Sequence, residues 1–191
     1  MGAEPGPDRT FLYFAYGSNM LVPRMQRRCP SARMIGRASV AGYRLVWDKA
    51  GRDGSGKAGM IPDPEHLVEG VLFEIALEER GKLDVFEDAV GDDPGYRPAE
   101  DLTLDGDARG VLRALTYLPV AARRSPGLLP YDWYKALVVA GAVQHALPAD
   151  YVARLESVAA VSDPETGRPN RGEALEVLRA AGFEFMPEKF G

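Results

Sequence analysis

The sequence predicts an α+β domain built on a small mixed-strand, barrel-like sheet with flanking helices. Strand-like segments fill the first two thirds of the chain and helical periodicity comes late, the order expected of α+β domains and not of alternating βαβ units. The chain has 191 residues, 46% hydrophobic and 27% charged, enough to bury one core without disulfide or metal staples.

The first element, Phe11-Leu12-Tyr13-Phe14-Ala15-Tyr16, is apolar throughout and runs straight into Gly17, so it reads as a buried strand entering a tight turn. Leu21 to Arg28, with Pro23 suited to a first helical turn, reads as a short helix stopped by Pro30. Ala38 to Asp48 and Val68 to Ile75 read as strands, and the Gly- and Pro-rich stretch from Gly51 to Glu65 between them as a loop. Leu77 to Asp88 pairs Leu83 with Phe86 at i, i+3 and reads as a short helix ending near Glu87. Arg97 to Leu104 and Gly110 to Leu118 form a hairpin pattern, with Asp105-Gly106-Asp107 as its turn. Tyr131 to Ala146 is helical, with Tyr134, Leu137, Val138, Gly141 and Ala142 on one face and apolar residues on the others, the pattern of a buried helix. Two peripheral helices, Tyr151 to Val161 and Arg171 to Ala181, complete the chain.

A net charge of -5 argues against nucleic acid as a partner. Cys29 is the only cysteine, which excludes an intrachain disulfide and a cysteine zinc site, and without a neighbouring histidine it reads as an inert thiol. The short polar start, Met1 to Arg9, has no apolar export segment, and no apolar run reaches the ~20 residues of a membrane span. A cytoplasmic protein without membrane partners is the expectation.

Gly51 to Ala58 has the spacing of a phosphate-binding loop but fails where its chemistry is decided. Ala58 stands where a magnesium-holding hydroxyl belongs, and Pro62 and Pro64 forbid the helix whose N-terminus would face phosphates. His66 and His145 lie far from each other and from other ligand types, so no metal site is expected, and His145 reads as a packed, satisfied histidine. Tyr16-Gly17-Ser18-Asn19 is more informative. Such a turn can present backbone N–H groups to a ligand, and the capped helix start it also forms is itself an anion-friendly position. Glu87 alone reads as a solvated surface charge.

Several segments in order resemble the γ-glutamylcyclotransferase superfamily: Phe11 to Met20, Gly56 to Ile61, Glu69 to Phe73, Leu83-Asp84-Val85-Phe86-Glu87, Gly95-Tyr96-Arg97 and Trp133-Tyr134-Lys135, within about Phe11 to Leu147. Lys57 and Gly59 depart from the family pattern of their strand. The resemblance implies the γ-glutamylcyclotransferase-like fold and an enzyme that releases 5-oxoproline and a free amine from a γ-glutamyl amide or amino acid, with no cofactor. It implies Glu87 as general acid/base, partly buried near Phe86 and Tyr96. Tyr16, Gly17, Ser18 and Asn19 would cradle the substrate, and Tyr96 and Tyr134 would close the pocket. Asp84, Asp88 and Glu79 are the rival carboxylates, and a non-catalytic binding module on the same fold is the rival function. The expected organisation is an N-terminal tail over 1–10, the domain over 11–161, and a C-terminal extension over 162–191 packed on it, as a monomer or homodimer.

Overall fold

The computed structural model describes residues 9–107 and 110–189. Among these, five strands close into a barrel in the order β1-β3-β2-β4-β5. They are β1 Thr10–Ala15, β2 Arg33–Ala50, β3 Gly56–Ala76, β4 Tyr96–Gly106 and β5 Gly110–Pro119. Four junctions are antiparallel, and a parallel bridge between Tyr13 of β1 and Leu115 of β5 closes the ring. Closure removes the free sheet edges that an open array would expose.

The helices cover the barrel and hold its first turn. After β1 the chain makes a 3-10 turn, Ser18–Met20, and then α1, Val22–Arg28, with Pro23 in its first turn. Leu77–Glu79 and α2, Arg80–Phe86, follow β3. Helix α3, Asp132–Gln144, is buried from Asp132 through Ala142, which explains why apolar residues occur on all its faces. Gly141 is the close-approach point: a Cβ there would lie 2.7 Å from Met20 Cβ and 2.8 Å from the Leu21 nitrogen. Helix α3 therefore presses directly on the Ser18–Met20 turn. Helices α4, Ala149–Glu156, and α5, Pro169–Ala180, pack on α3, and α5 buries Ala174, Val177 and Leu178. Among the described residues no helix is long and apolar enough to cross a membrane.

Two local expectations are corrected. The stretch from Gly56 to Glu65 is not loop: it is the first half of the 21-residue β3, and only 51–55 turns. Its prolines are tolerated because the β2–β3 ladder is irregular there. Tyr43 pairs with Pro62 while Ala41 pairs with Leu67, so four residues of β3 face the single Gly42, and the missing proline N–H groups cost few ladder bonds. The β4–β5 turn also lies later than expected, since Asp105 and Gly106 pair with Val111 and Gly110. It spans 107–109, of which 108 and 109 lie outside the described residues, as do 1–8 of the expected tail. Thr10, assigned to that tail, opens β1 opposite Ala76.

Candidate active site

Where β1 ends, a narrow cavity opens between the first turn, β3 and α3. All seven residues singled out in the sequence line it: Tyr16, Gly17, Ser18, Asn19, Glu87, Tyr96 and Tyr134. They reach it from four places: the β1 exit, the end of α2, the start of β4 and the first turn of α3. In the Ser18–Met20 turn the first internal bond runs from the Met20 N–H to the Gly17 carbonyl. The amides of Gly17, Ser18 and Asn19 precede that bond and have no partner within the turn, the usual condition of a helical start. Gly17 has φ -117°, so its value here is space and not a left-handed backbone. A Cβ on it would stand 3.2 Å from Ala58 Cβ and 3.6 Å from the Tyr134 hydroxyl, inside the cavity.

Glu87 caps the C-terminus of α2, and the next residue, Asp88, turns the chain away with φ 53°. This geometry swings the Glu87 side chain inward, where it is 15% exposed. Its Oε1 accepts from Asn19 Nδ2 at 2.6 Å and from Arg28 at 3.0 Å. The same Asn19 nitrogen also donates to the Tyr13 hydroxyl at 3.1 Å, while Asn19 Oδ1 is buried without a hydrogen bond. The rival carboxylates are engaged elsewhere. Asp84 takes the Tyr117 hydroxyl and Arg80, Asp88 holds Lys49 and Arg52, and Glu79 caps Ser31.

The remaining walls are tyrosine. The Tyr16 hydroxyl donates to the Tyr117 carbonyl at 2.5 Å and Tyr96 to the Ala58 carbonyl at 2.6 Å. Tyr134 accepts from the Ala58 N–H at 3.1 Å and keeps its own hydroxyl proton free to donate. Burial first, and the Glu87 charge second, push the Tyr13 and Tyr16 hydroxyls well above the ordinary phenol range, and burial does the same to Tyr96. These walls are neutral at any ordinary pH, with Glu87 the one carboxylate among them.

Sequence reasoning missed Tyr13, Ala58 and Tyr117, which complete the lining, and Arg28, which pairs with Glu87. Arg28 stands one helical turn after Arg24 on α1, an i, i+4 pair on one face that was legible. Arg24 donates to Ser18 Oγ at 3.2 Å and pairs with Glu173 of α5, tying the C-terminal helix to the turn. Tyr117 left no local signal, because only the barrel closure brings β5 beside β1. His145 is packed and satisfied as expected, buried with Nε2 2.9 Å from the Met20 carbonyl, and burial pushes the Cys29 thiol up to about 11. The phosphate-loop spacing leads into β3 instead of a helix, and Lys57 is spent on Asp53 at 2.7 Å.

Comparison with known proteins places this arrangement. A family model described as gamma-glutamyl cyclotransferase, AIG2-like, matches residues 13–136. The human gamma-glutamylcyclotransferase is 26% identical over 159 residues, covering 80% of this chain and 81% of its own. The mouse protein of the same name is 27% identical over 154 residues, covering 78% and 79%. A solved gamma-glutamyl cyclotransferase structure superposes with a TM-score of 0.76 at 23% identity, over 88% of this chain and 99% of that one, so the fold is shared. With the model spanning well over half of its length, this chain belongs to the gamma-glutamyl cyclotransferase, AIG2-like family.

Proposed function

We propose that the chain is a γ-glutamyl cyclotransferase that converts a γ-glutamyl amide to 5-oxoproline and a free amine. One observation carries the reading: the inward Glu87 carboxylate and the free amides of the Gly17–Asn19 turn share a single narrow cavity, linked through the 2.6 Å bond from Asn19. Nucleophile and target carbonyl belong to one substrate, so the protein mainly orients; well-aligned intramolecular attack is worth ~7–11 kcal/mol.

The α-ammonium must lose a proton before its nitrogen can attack the γ-carbonyl carbon, and Glu87 is the base positioned to take it. Asn19 Oδ1, buried without a donor, suits the same ammonium. As the new C–N bond forms, charge builds on the carbonyl oxygen, where the turn amides can stabilise it. The old C–N bond breaks when Glu87 delivers a proton to the departing nitrogen. The α-ammonium gives up two protons in becoming the lactam N–H, and the departing nitrogen gains two in leaving as an ammonium. The ledger closes without water or a co-substrate.

The test is 5-oxoproline release from γ-glutamyl dipeptides and γ-glutamylamines by wild type and by Glu87→Gln. Release by wild type and none by the variant supports the reading. Near wild-type turnover by the variant refutes the role of Glu87, and ligand binding without any release would make the protein a binding module on the same fold.

A further inference from the structure

Beside the cavity, and sharing Ser18, Glu87, Tyr96 and Tyr134 with it, lies a wider cleft. The cleft is cationic in an acidic chain: five of its lining residues are Arg or Lys and three are Asp or Glu, whereas the whole chain carries -5. Two of those cations, Lys49 at the end of β2 and Arg52 in the turn after it, converge on Asp88. Asp88 directly follows Glu87 and borders the cleft but not the cavity.

The end of α2 needs an anchor. Leu83 is the one buried residue of this seven-residue helix, so the core grips it near the middle and not at the end that carries Glu87. The helix closes with paired bonds, Ala89 N–H to the Asp84 carbonyl at 2.9 Å and Asp88 N–H to the Val85 carbonyl at 3.0 Å. In that closure the left-handed position, here Asp88 with φ 53°, is normally glycine. An aspartate there breaks two local rules at once, because its Cβ is strained at positive φ and its charge sits at the negative end of the helix. Such a departure beside a reacting group points to function.

What the carboxylate gains is a grip on three other elements. Its Oδ1 accepts from Arg52 Nε at 3.0 Å and Nη2 at 2.8 Å, and its Oδ2 accepts from the buried Lys49 at 3.1 Å. Lys49 in turn lies 4.6 Å from the centre of the Tyr96 ring. The Asp88 carbonyl accepts the N–H groups of Gly95 at 2.7 Å and Tyr96 at 3.3 Å, where β4 begins. Gly95 leaves room for this clasp, since a Cβ there would stand 2.2 Å from Asp88 Oδ2 and 2.3 Å from Lys49 Nζ. Asn19 and Arg28 steady the Glu87 carboxylate through one oxygen, while Asp88 fixes the backbone that delivers it.

We propose that Asp88 is a positioning residue for the acid/base step: its carboxylate, gripped by Lys49 and Arg52, locks the end of α2 against β2 and β4 so that Glu87 stays in the cavity. The proposal rests on the cyclotransferase reading above.

The test measures kcat and KM for 5-oxoproline release from γ-glutamyl-alanine, with a thermal melt of each variant. Asp88→Gly keeps the bend, which glycine adopts without strain, and removes only the grip. Its kcat should fall by about 10- to 100-fold, the cost of ångström-scale misplacement of a reacting group, while KM changes by no more than about threefold. Asp88→Asn, which tolerates the bend and keeps one oxygen for Arg52, should recover part of that loss. Arg52→Gln removes one arm of the clasp and should lower kcat by less than Asp88→Gly does. A wild-type kcat in Asp88→Gly shows that the bend suffices and overturns the inference, as does a loss confined to KM or to the melt; the cyclotransferase reading then stands. Should Asp88→Gly fail to fold, the exposed Arg52 decides: a lowered kcat in Arg52→Gln supports the inference and an unchanged one overturns it. No 5-oxoproline from wild type with this compound or the wider panel overturns both.

Discussion

The inner cavity and the outer cleft meet at Glu87 but are built on opposite principles. The cavity is narrow and walled by neutral tyrosines whose hydroxyls are mostly committed to the backbone, with one carboxylate and one row of free amides. The cleft is wide and lined by cations bound in ion pairs, with Trp133 and Phe86 between them. A rigid, low-charge space suits a fixed group that must be aligned to react. A charged and open space suits a variable group that need only be recognised. Under the proposed function the chemistry would rest on the cavity and the fit of the departing group on the cleft, so changes confined to one should be separable from changes confined to the other, even though Ser18, Glu87, Tyr96 and Tyr134 border both.

The sharpest way to break that separation is Glu87→Gln. If Glu87 supplies the acid/base group of the proposed reaction, kcat for 5-oxoproline release should fall about 10³-fold, within the range for general acid–base catalysis. The variant leaves the part-buried Arg28 without its counter-charge, so its Tm should fall by a few degrees, measured in the same buffer. A melt that collapsed outright would mean the carboxylate is structural and the contrast misdrawn.

Gly17→Ala probes the cavity alone. The added methyl meets Ala58 Cβ at 3.2 Å and projects towards the Tyr134 hydroxyl, displacing substrate by a fraction of an ångström. Misplacement on the ångström scale can cost up to ~10²-fold, so kcat/KM should drop by about 10- to 100-fold, with the same relative loss for every leaving group. A loss that depended on the leaving group would erase the division between the two spaces.

Tyr96→Phe removes the donor to the buried Ala58 carbonyl. Leaving that acceptor unpaired should cost ~1–3 kcal/mol, read as a lower midpoint in urea at an unchanged slope. Activity at a temperature where the variant is folded should change less than in Gly17→Ala.

The smallest effect belongs to the cleft. Burial works against the Asp53 carboxylate, but the hydrogen bond and charge of Lys57, with the Ser55 amide and hydroxyl, outweigh it and hold its pKa below the usual value. A carboxyl depressed in the folded state stabilises above its unfolded pKa, near 4, and loses that contribution as pH falls through the folded value. Asp53→Asn should therefore melt lower than wild type at pH 7, and the gap should narrow as pH drops below about 4. Equal gaps at pH 7 and pH 3 would show that the pair contributes packing and not charge.

How much of this was legible varies by element. Strand β1, the turn after it and helix α3 were readable, because each carries its signal in consecutive residues: an unbroken apolar run, a Gly-Ser-Asn turn, and apolar residues on every helical face. The first half of β3 was not. Its glycines and prolines argue locally for a loop, and only pairing with β2 across an irregular ladder makes it a strand. The family resemblance had placed a strand over Gly56 to Ile61 where composition did not, because a family pattern records tertiary pairing that single-sequence propensity omits. Glu87 shows the same limit from the other side: its helix was readable, but nothing local distinguishes an inward carboxylate from a solvated one.

The sequence by itself determined the local pieces: an apolar strand that must be buried, a glycine turn with unpaired amides, a helix ending at Glu87, and a late helix too apolar to face water. These follow from short-range sterics and from the cost of leaving apolar surface in water. The tertiary structure alone decided that Tyr117 lies against the first strand, that Arg28 pairs with Glu87, and that an acidic chain carries a cationic cleft beside its cavity. Such features depend on contacts between residues tens of positions apart, and closing a barrel sets all of them at once in a way no local window contains.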